Sequence, residues 1–302
     1  MCQKSRYWVR LARLTILALG VGLAGGLIGY TLLGSFLYTQ ALTHPNCAET
    51  GATPADVGIK GAREAAYSSH DGLMLQAWYL PPQNGAVIIL LPGLGGAREG
   101  MLREGTILAR HGYGLLMTEL RSCAHAERQT TLGYREAKDL MEAVTWVRSQ
   151  PSVARVGLLG YSLGGVTAIL GTAQDERIDA VVAEGGFYDL AADITNEGGV
   201  NSLWNSLTYQ SVLFFFHRET GVDAHDVSPI SVIDRISPRP LLLIYGEQET
   251  DARPWEQFAR AEDPKSLWIL PDCRHGDYLN VAPDEWERRV VAFFDDILPP
   301  EN

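Results

Sequence analysis

The sequence predicts an α/β protein in which a mostly parallel, eight-stranded sheet carries helices on both faces and a small helical cap, preceded by one transmembrane helix. Three observations carry this reading. Short, wholly apolar runs alternate with amphipathic stretches at the spacing of β-α-β units. A two-strand hairpin with a tight turn precedes the first of those runs. Residues Leu14 to Tyr38, 25 in all, hold no charge.

The N-terminal stretch comes first. At about 1.5 Å per residue, a helix of that length crosses a hydrocarbon core of roughly 30 Å. A signal-peptide core is shorter and is followed by a small-residue cleavage site. No convincing site of that kind precedes Thr43-His44-Pro45, so the reading favours an uncleaved anchor over a cleaved signal. Lys4, Arg6, Arg10 and Arg13 lie before the span. Basic flanks stay in the cytoplasm, which places the later residues outside it, in a bacterial cell membrane on this reading. Gly22-x-x-x-Gly26 and Gly25-x-x-x-Gly29 fit a helix-pairing pattern. So Gly-rich a segment yields that spacing by chance, and no oligomeric state follows from it.

The domains expected are a cytoplasmic N-terminus at 1–13, an anchor at 14–38, a linker at 39–61 and a catalytic domain at 62–302. Pro45, Gly51, Pro54 and Gly58 mark the linker. Arg63 to Ser69 and Leu73 to Leu80 form the hairpin about Asp71-Gly72, and Pro81-Pro82 stops it because proline supplies no ladder N–H. Ala86 to Leu91 is apolar throughout, as expected of a strand buried on both faces. Strands are then expected at 113–118, 155–160, 178–183, 240–245 and 267–270. Helices are expected at about 97–111, 133–149 and 164–172, with a closing one at 283–298. Asp189 to Pro238 is too long for a bare connection and reads as the cap. Its Trp204, Tyr209, Phe214, Phe215 and Phe216 either line an acyl-binding space or pack the cap onto the body.

Charge narrows the partners. The chain carries −11 overall and its first 40 residues carry +4, so residues 41–302 carry −15. Such a body repels phosphate backbones and argues against nucleic acid. The four cysteines, Cys2, Cys47, Cys123 and Cys273, form no CxxC pair and no zinc spacing. A bond between Cys123 and Cys273 is one arrangement open to a domain in an oxidising compartment. His217, Asp223, His225 and Asp226 lack a distinctive metal-binding pattern and read as polar surface. No metal and no cofactor is expected.

Gly160-Tyr161-Ser162-Leu163-Gly164 matches G-x-S-x-G and sits between an apolar strand and a helix. That strand–turn–helix setting lifts a serine hydroxyl above a sheet edge for nucleophilic attack. The serine needs a base, and the base needs a carboxylate behind it. Among the seven histidines, His275 alone follows the last strand. The carboxylate is expected after the preceding strand, where Glu249 is the first choice and Asp251 the alternative; Glu247 reads as a solvated charge. The N–H groups of Leu163, at the helix start, and Leu94, in Pro92-Gly93-Leu94-Gly95-Gly96, are placed to bind an oxyanion. No G-K-[ST] follows that glycine loop, so it is not a phosphate loop.

Together these residues resemble the α/β-hydrolase superfamily, and within it the bacterial membrane-tethered or secreted esterase- and lipase-like branch related to serine aminopeptidases and monoglyceride lipases. The resemblance spans about residues 62–297. It rests on Asp71 to Pro81, the Pro-Gly-Leu-Gly-Gly loop, Thr118-Glu119-Leu120-Arg121, Gly160 to Gly165, and the order of Glu249 and His275. It implies cofactor-free cleavage of a small-molecule acyl ester, or of a thioester or amide. A peptidase on the same residues, or an inactive membrane-tethered binding module, are the alternatives. A haloalkane dehalogenase would need a carboxylate at position 162. The chain departs from the family pattern at Pro92, where many relatives have His, at Glu119 to Cys123, and in using Glu at 249.

Overall fold

The computed structural model describes residues 2–124, 128–196 and 203–297. Helix α1 (Cys2–Thr43) leads into the hairpin β1 (Arg63–Ser68) and β2 (Met74–Leu80). Then follow β3 (Ala86–Leu91), α2 (Leu102–Arg110), β4 (Gly114–Thr118), α3 (Tyr134–Arg148), β5 (Arg155–Tyr161), α4 (Leu163–Thr172) and β6 (Ala180–Glu184). The cap supplies α5 (Leu190–Asn196) and α6 (Leu203–Thr220). The chain closes with β7 (Leu241–Gly246), α7 (Pro254–Arg260), β8 (Lys265–Leu270), α8 (Tyr278–Val281) and α9 (Pro283–Ile297).

The eight strands form one sheet in the order β1-β2-β4-β3-β5-β6-β7-β8. β2 pairs antiparallel with β1 and β4, and every pairing from β4 to β8 is parallel. The pleat sorts the apolar runs between two faces. Val87, Ile89 and Leu91 join one core with Leu140, Val144, Val166 and Ile169, whereas Ile88 and Leu90 join the other with Leu108, Trp286, Val290 and Phe294. Burial on both faces is why β3 shows no polar alternation. The strand order reverses at β3, between β4 and β5, and a crevice opens at the carboxyl ends of strands at such a point. The loops after β3 and β5 both emerge there.

The segment expected to be a slack linker is tied down. α1 runs on to Thr43, whose carbonyl accepts Thr130 N–H at 2.8 Å. Ala48 N–H then donates to Gly95 O at 2.9 Å, and Cys47 is bonded to Cys123 with their Cα atoms 5.5 Å apart. This corrects the Cys123–Cys273 pairing. Cys123 follows β4 and Cys273 follows β8, with four strands between them. At about 4.8 Å per strand the two ends lie roughly 24 Å apart, far beyond disulfide reach. Cys273 is a free, buried thiol. The real bond closes a span of 76 residues, so its removal is expected to cost about 4 kcal/mol. Thermal unfolding of Cys47→Ser beside the parent protein measures this; equal melting temperatures would contradict it.

Buried Arg121 explains the departure after β4. Its guanidinium donates to Asp139 at 2.8 Å and to Asp71 at 3.0 Å, joining the hairpin turn to α3. His70 approaches Asp139 at 2.8 Å. Although His70, Asp71 and Asp139 cluster closely enough to hold a cation, Arg121 already neutralises both carboxylates. In the cap, Asp223 accepts the backbone N–H of His225 at 3.0 Å, a local turn contact.

Candidate active site

β5 ends at Tyr161 and α4 begins at Leu163, so the whole reversal falls on Ser162. Its φ of 54° and ψ of −116° are conformations a side chain adopts only under strain. Glycine makes the turn possible. A Cβ on Gly160 would stand 2.1 Å from Gly164 O, and one on Gly164 would stand 2.1 Å from Leu91 O. Ser162 N–H donates to Glu184 O at 2.6 Å, anchoring the turn to β6.

The three predicted side chains meet. Ser162 Oγ lies 3.0 Å from His275 Nε2, and His275 Nδ1 lies 2.6 Å from Glu249 Oε1. β7 delivers Glu249 and β8 delivers His275, on loops at the same sheet edge as the serine. The second carboxylate oxygen is also engaged: Glu249 Oε2 accepts Tyr278 O–H at 2.7 Å and Gly246 N–H at 2.5 Å. Glu249 is therefore fixed by three donors, while the imidazole edge stays open. Asp251 does not share this position. It lies in the turn Thr250–Ala252 and faces the cavity. Glu247 accepts Asp272 N–H at 3.1 Å and serves its own loop.

The loop after β3 passes beside the serine, since a Cβ on Gly93 would fall 3.2 Å from Ser162 Cβ. Gly96 N–H donates to Gly93 O at 2.9 Å and folds that loop into a turn around Leu94. Leu163, as the first residue of α4, has no intrahelical acceptor for its N–H. The loop that carries Leu94 and the first turn of α4 therefore both adjoin Ser162. An open cavity of about 750 Å³ covers the serine and imidazole. Phe187, Asp193, Asp251, Arg253 and Arg274 are among its lining residues.

The X-Pro dipeptidyl-peptidase (S15) family matches residues 39–278. The chain belongs to that family. As an S15 member it is an α/β-hydrolase and an enzyme of the hydrolase class. An uncharacterised protein of Escherichia coli O157:H7, YfhR, is 25% identical over 256 residues, covering 80% of this chain and 83% of its own. A thiohydrolase of Aspergillus aculeatus, aneE, is 23% identical over 201 residues, covering 64% of this chain and 62% of its own. Among solved structures, the Pyrococcus furiosus esterase Pf2001 superposes with a TM-score of 0.68 at 22% identity, covering 85% of this chain and 98% of that one, a likeness of fold.

Sequence reasoning missed several parts of this S15 site. Tyr278 has no motif to announce it; it stands three residues past His275, and burial, then the Glu249 charge, raise its pKa. Tyr161 occupies the free position of the elbow motif, its ring 5.2 Å from the imidazole. Burial and nearby carboxylates, Glu249 first, push its phenol up to about 12. Of the two roles open to the cap aromatics, packing fits Tyr209, which lies against the core, while the Trp204 side chain lies outside the described residues. Phe216 is buried in the body, Phe215 packs on Phe36 of α1, and Phe214 faces outward. The cavity wall sets Phe187 beside the charged Asp193, Asp251, Arg253 and Arg274.

Glu184 was also unforeseen. Burial, then the neighbouring Glu104 charge, push its carboxyl up to about 8, and Trp286 Nε1–H donates to it at 2.5 Å. A carboxyl with an ordinary value of 4.5 and a native value of about 8 holds its proton more tightly when folded. Its contribution is thus complete below the ordinary value and is lost as pH rises through the native one. Glu184→Gln keeps an acceptor for Trp286 without a charge. Its melting temperature is expected to fall less than that of the parent between pH 5 and 8, roughly the window set by the two values. Parallel curves would contradict this.

Proposed function

We propose that this hydrolase is a membrane-anchored carboxylic-ester hydrolase that works through an acyl-enzyme on Ser162, His275 and Glu249. The hydrogen-bonded chain from Ser162 through His275 to Glu249, at the floor of an open cavity, carries this reading. His275 Nε2 takes the hydroxyl proton as Ser162 Oγ attacks the ester carbonyl. Glu249 holds the Nδ1 proton and stabilises the imidazolium. The N–H groups of Leu94 and Leu163 bind the oxyanion. Collapse expels the alkoxide, which leaves with the proton from Nε2. Water then enters, gives a proton to Nε2, and attacks the acyl carbon. The second collapse releases the acid and returns the proton to Ser162. No step needs a metal or cofactor.

A small-molecule acyl ester is the proposed substrate, and an acyl thioester reacts by the same steps. The name of the Aspergillus relative supports the thioester. The membrane is the proposed partner. α1 contains a 34-residue stretch, Arg10–Thr43, long and apolar enough to cross a bilayer. We place residues 1–13 in the cytoplasm, 14–38 in the membrane, and the 62–302 domain outside, with 39–61 between. The Cys47–Cys123 bond supports that topology, because such bonds persist in oxidising compartments.

A peptidase on the same residues is the second reading. The family description favours it, and Asp193 and Asp251 in the cavity offer an acidic partner for a free amine. Arg253 and Arg274 on the same wall weigh against a purely acidic clamp. An alcohol leaves an acyl group with less help than an amine does, so the ester is the preferred donor. Purified protein is expected to hydrolyse short-chain p-nitrophenyl esters faster than X-Pro-p-nitroanilides at equal concentration. Faster amide cleavage would replace the ester reading with the peptidase one. Turnover of neither, nor of an acyl thioester, would favour a binding module.

A further inference from the structure

Helix α6 of the cap lies against the last turns of α1, and its outward face, uncharged as far as Phe216, exposes Leu207 and Phe214 beside Ser206 and Gln210. Three contacts set the register. Ser35 Oγ donates to Thr208 O at 3.3 Å, the Phe36 and Phe215 rings stand 5.6 Å apart, and His44 approaches Glu219 at 3.8 Å. The helices therefore run side by side in the same direction. Thr208 is level with Ser35, and Glu219 is level with His44. α1 supplies a contact stripe of Thr31, Ser35, Thr39 and Thr43, all buried, at the four-residue spacing that lies on one helix face. Small side chains there let the backbones come close.

This register has a consequence for depth. Ser35 belongs to the uncharged span 14–38, so the start of α6 sits beside membrane-spanning turns of α1. Along Leu203–Phe216 there is no charged residue, and charge begins only at His217-Arg218-Glu219, the end level with the close of α1. Leu207 and Phe214, seven residues apart and on one face, are 49% and 62% exposed. Leu33 and Leu37, on the side of α1 turned away from α6, are exposed as well. Large side chains exposed beside a bilayer-crossing helix, with charge confined to the distal end, suit lipid and not water.

We propose that α6 is a second membrane-contact element, which enters the outer leaflet beside α1 with Leu207 and Phe214 in the lipid. The proposal rests on the reading of α1 as a membrane span. It also deepens the reading of the substrate. α5, in the same insert, contributes Asp193 to the cavity wall, so embedding α6 holds the cavity at the bilayer surface. The substrates then favoured are acyl esters presented by the lipid surface.

The test uses the full chain in phosphatidylcholine nanodiscs, with Cys2→Ser to limit background labelling. An environment-sensitive fluorophore is attached to Leu19→Cys, Leu207→Cys, Phe214→Cys or His217→Cys, one at a time. The expected result is blue-shifted emission, quenched by brominated lipid, at 19, 207 and 214, with quenching by aqueous iodide at 217. Lipid quenching at 19 with iodide quenching at 207 and 214 overturns the α6 proposal and leaves the anchor standing. Iodide quenching at 19 overturns the anchor and the proposal together. As a second arm, the Leu207→Asp, Phe214→Asp double variant is expected to keep its rate on a water-soluble ester. Its rate on a vesicle-embedded ester is expected to fall roughly tenfold, since two buried apolar contacts are lost. An unchanged ratio of the two rates overturns the link between α6 and substrate delivery.

Discussion

Ser162→Ala is expected to lower kcat for a short-chain ester by about a million-fold, and His275→Ala by a similar factor. The double variant is expected to be no worse than either single one. The reason is mechanical. Without the hydroxyl, no atom 3.0 Å from His275 Nε2 is left to attack, and without the imidazole the hydroxyl has no base. Each loss disables the same step, so the losses do not add. KM is expected to change little, because Phe187, Asp193, Asp251, Arg253 and Arg274 of the cavity wall are untouched. The initial-rate kinetics of the three variants check this. Additive losses would mean that the two residues act separately.

The second large effect separates Glu249 from Asp251. Glu249→Gln is expected to reduce kcat by about ten-thousand-fold, the order seen when the carboxylate behind a catalytic imidazole becomes an amide. The amide can present N–H to Nδ1, which favours the wrong tautomer. In that orientation the amide oxygen stays at the Oε2 position and keeps the Tyr278 and Gly246 donors, so the loss falls on the imidazole. Asp251→Asn is expected to leave kcat within a few-fold, because its side chain faces the cavity and not the imidazole; any change falls on KM. Steady-state kinetics at saturating ester decide the matter. A larger kcat loss at 251 than at 249 would reverse the assignment.

Much of the fold was legible because burial leaves a periodic trace. β3, β5 and β7 are covered on both faces, so runs such as Ala86 to Leu91 and Leu241 to Tyr245 stand out as unbroken apolar stretches. Ser162 was legible because its strain demands glycine on either side and a strand and helix around it. His275 was found from chain order alone. Glu249 was separable from Asp251 only in space: the two lie on one short loop, and side-chain direction decides which reaches the imidazole.

Other features left no local signal. α7 has seven residues, too few for a helical pattern, and its first turn begins with Pro254. The pairing of Cys47 with Cys123 depends on strand order, which places the end of β4 beside the chain leaving α1. The eventual position of α6 was hidden for a related reason. Phe214, Phe215 and Phe216 are adjacent in sequence, but they point to the exterior, to α1 and to the core. A run of aromatics has no helical phase until something packs against it. The same holds for Tyr278, whose role depends on meeting Glu249 from a separate element.

Covalent labelling tests the central assignment most directly. A fluorophosphonate reacts with a serine only when a neighbouring base activates it and donors receive its oxygen. Intact mass and peptide mapping of the treated full chain should find one adduct, on the peptide containing Ser162, and none on Ser162→Ala or His275→Ala. An unmodified parent protein, or an adduct at a different serine, would contradict the account.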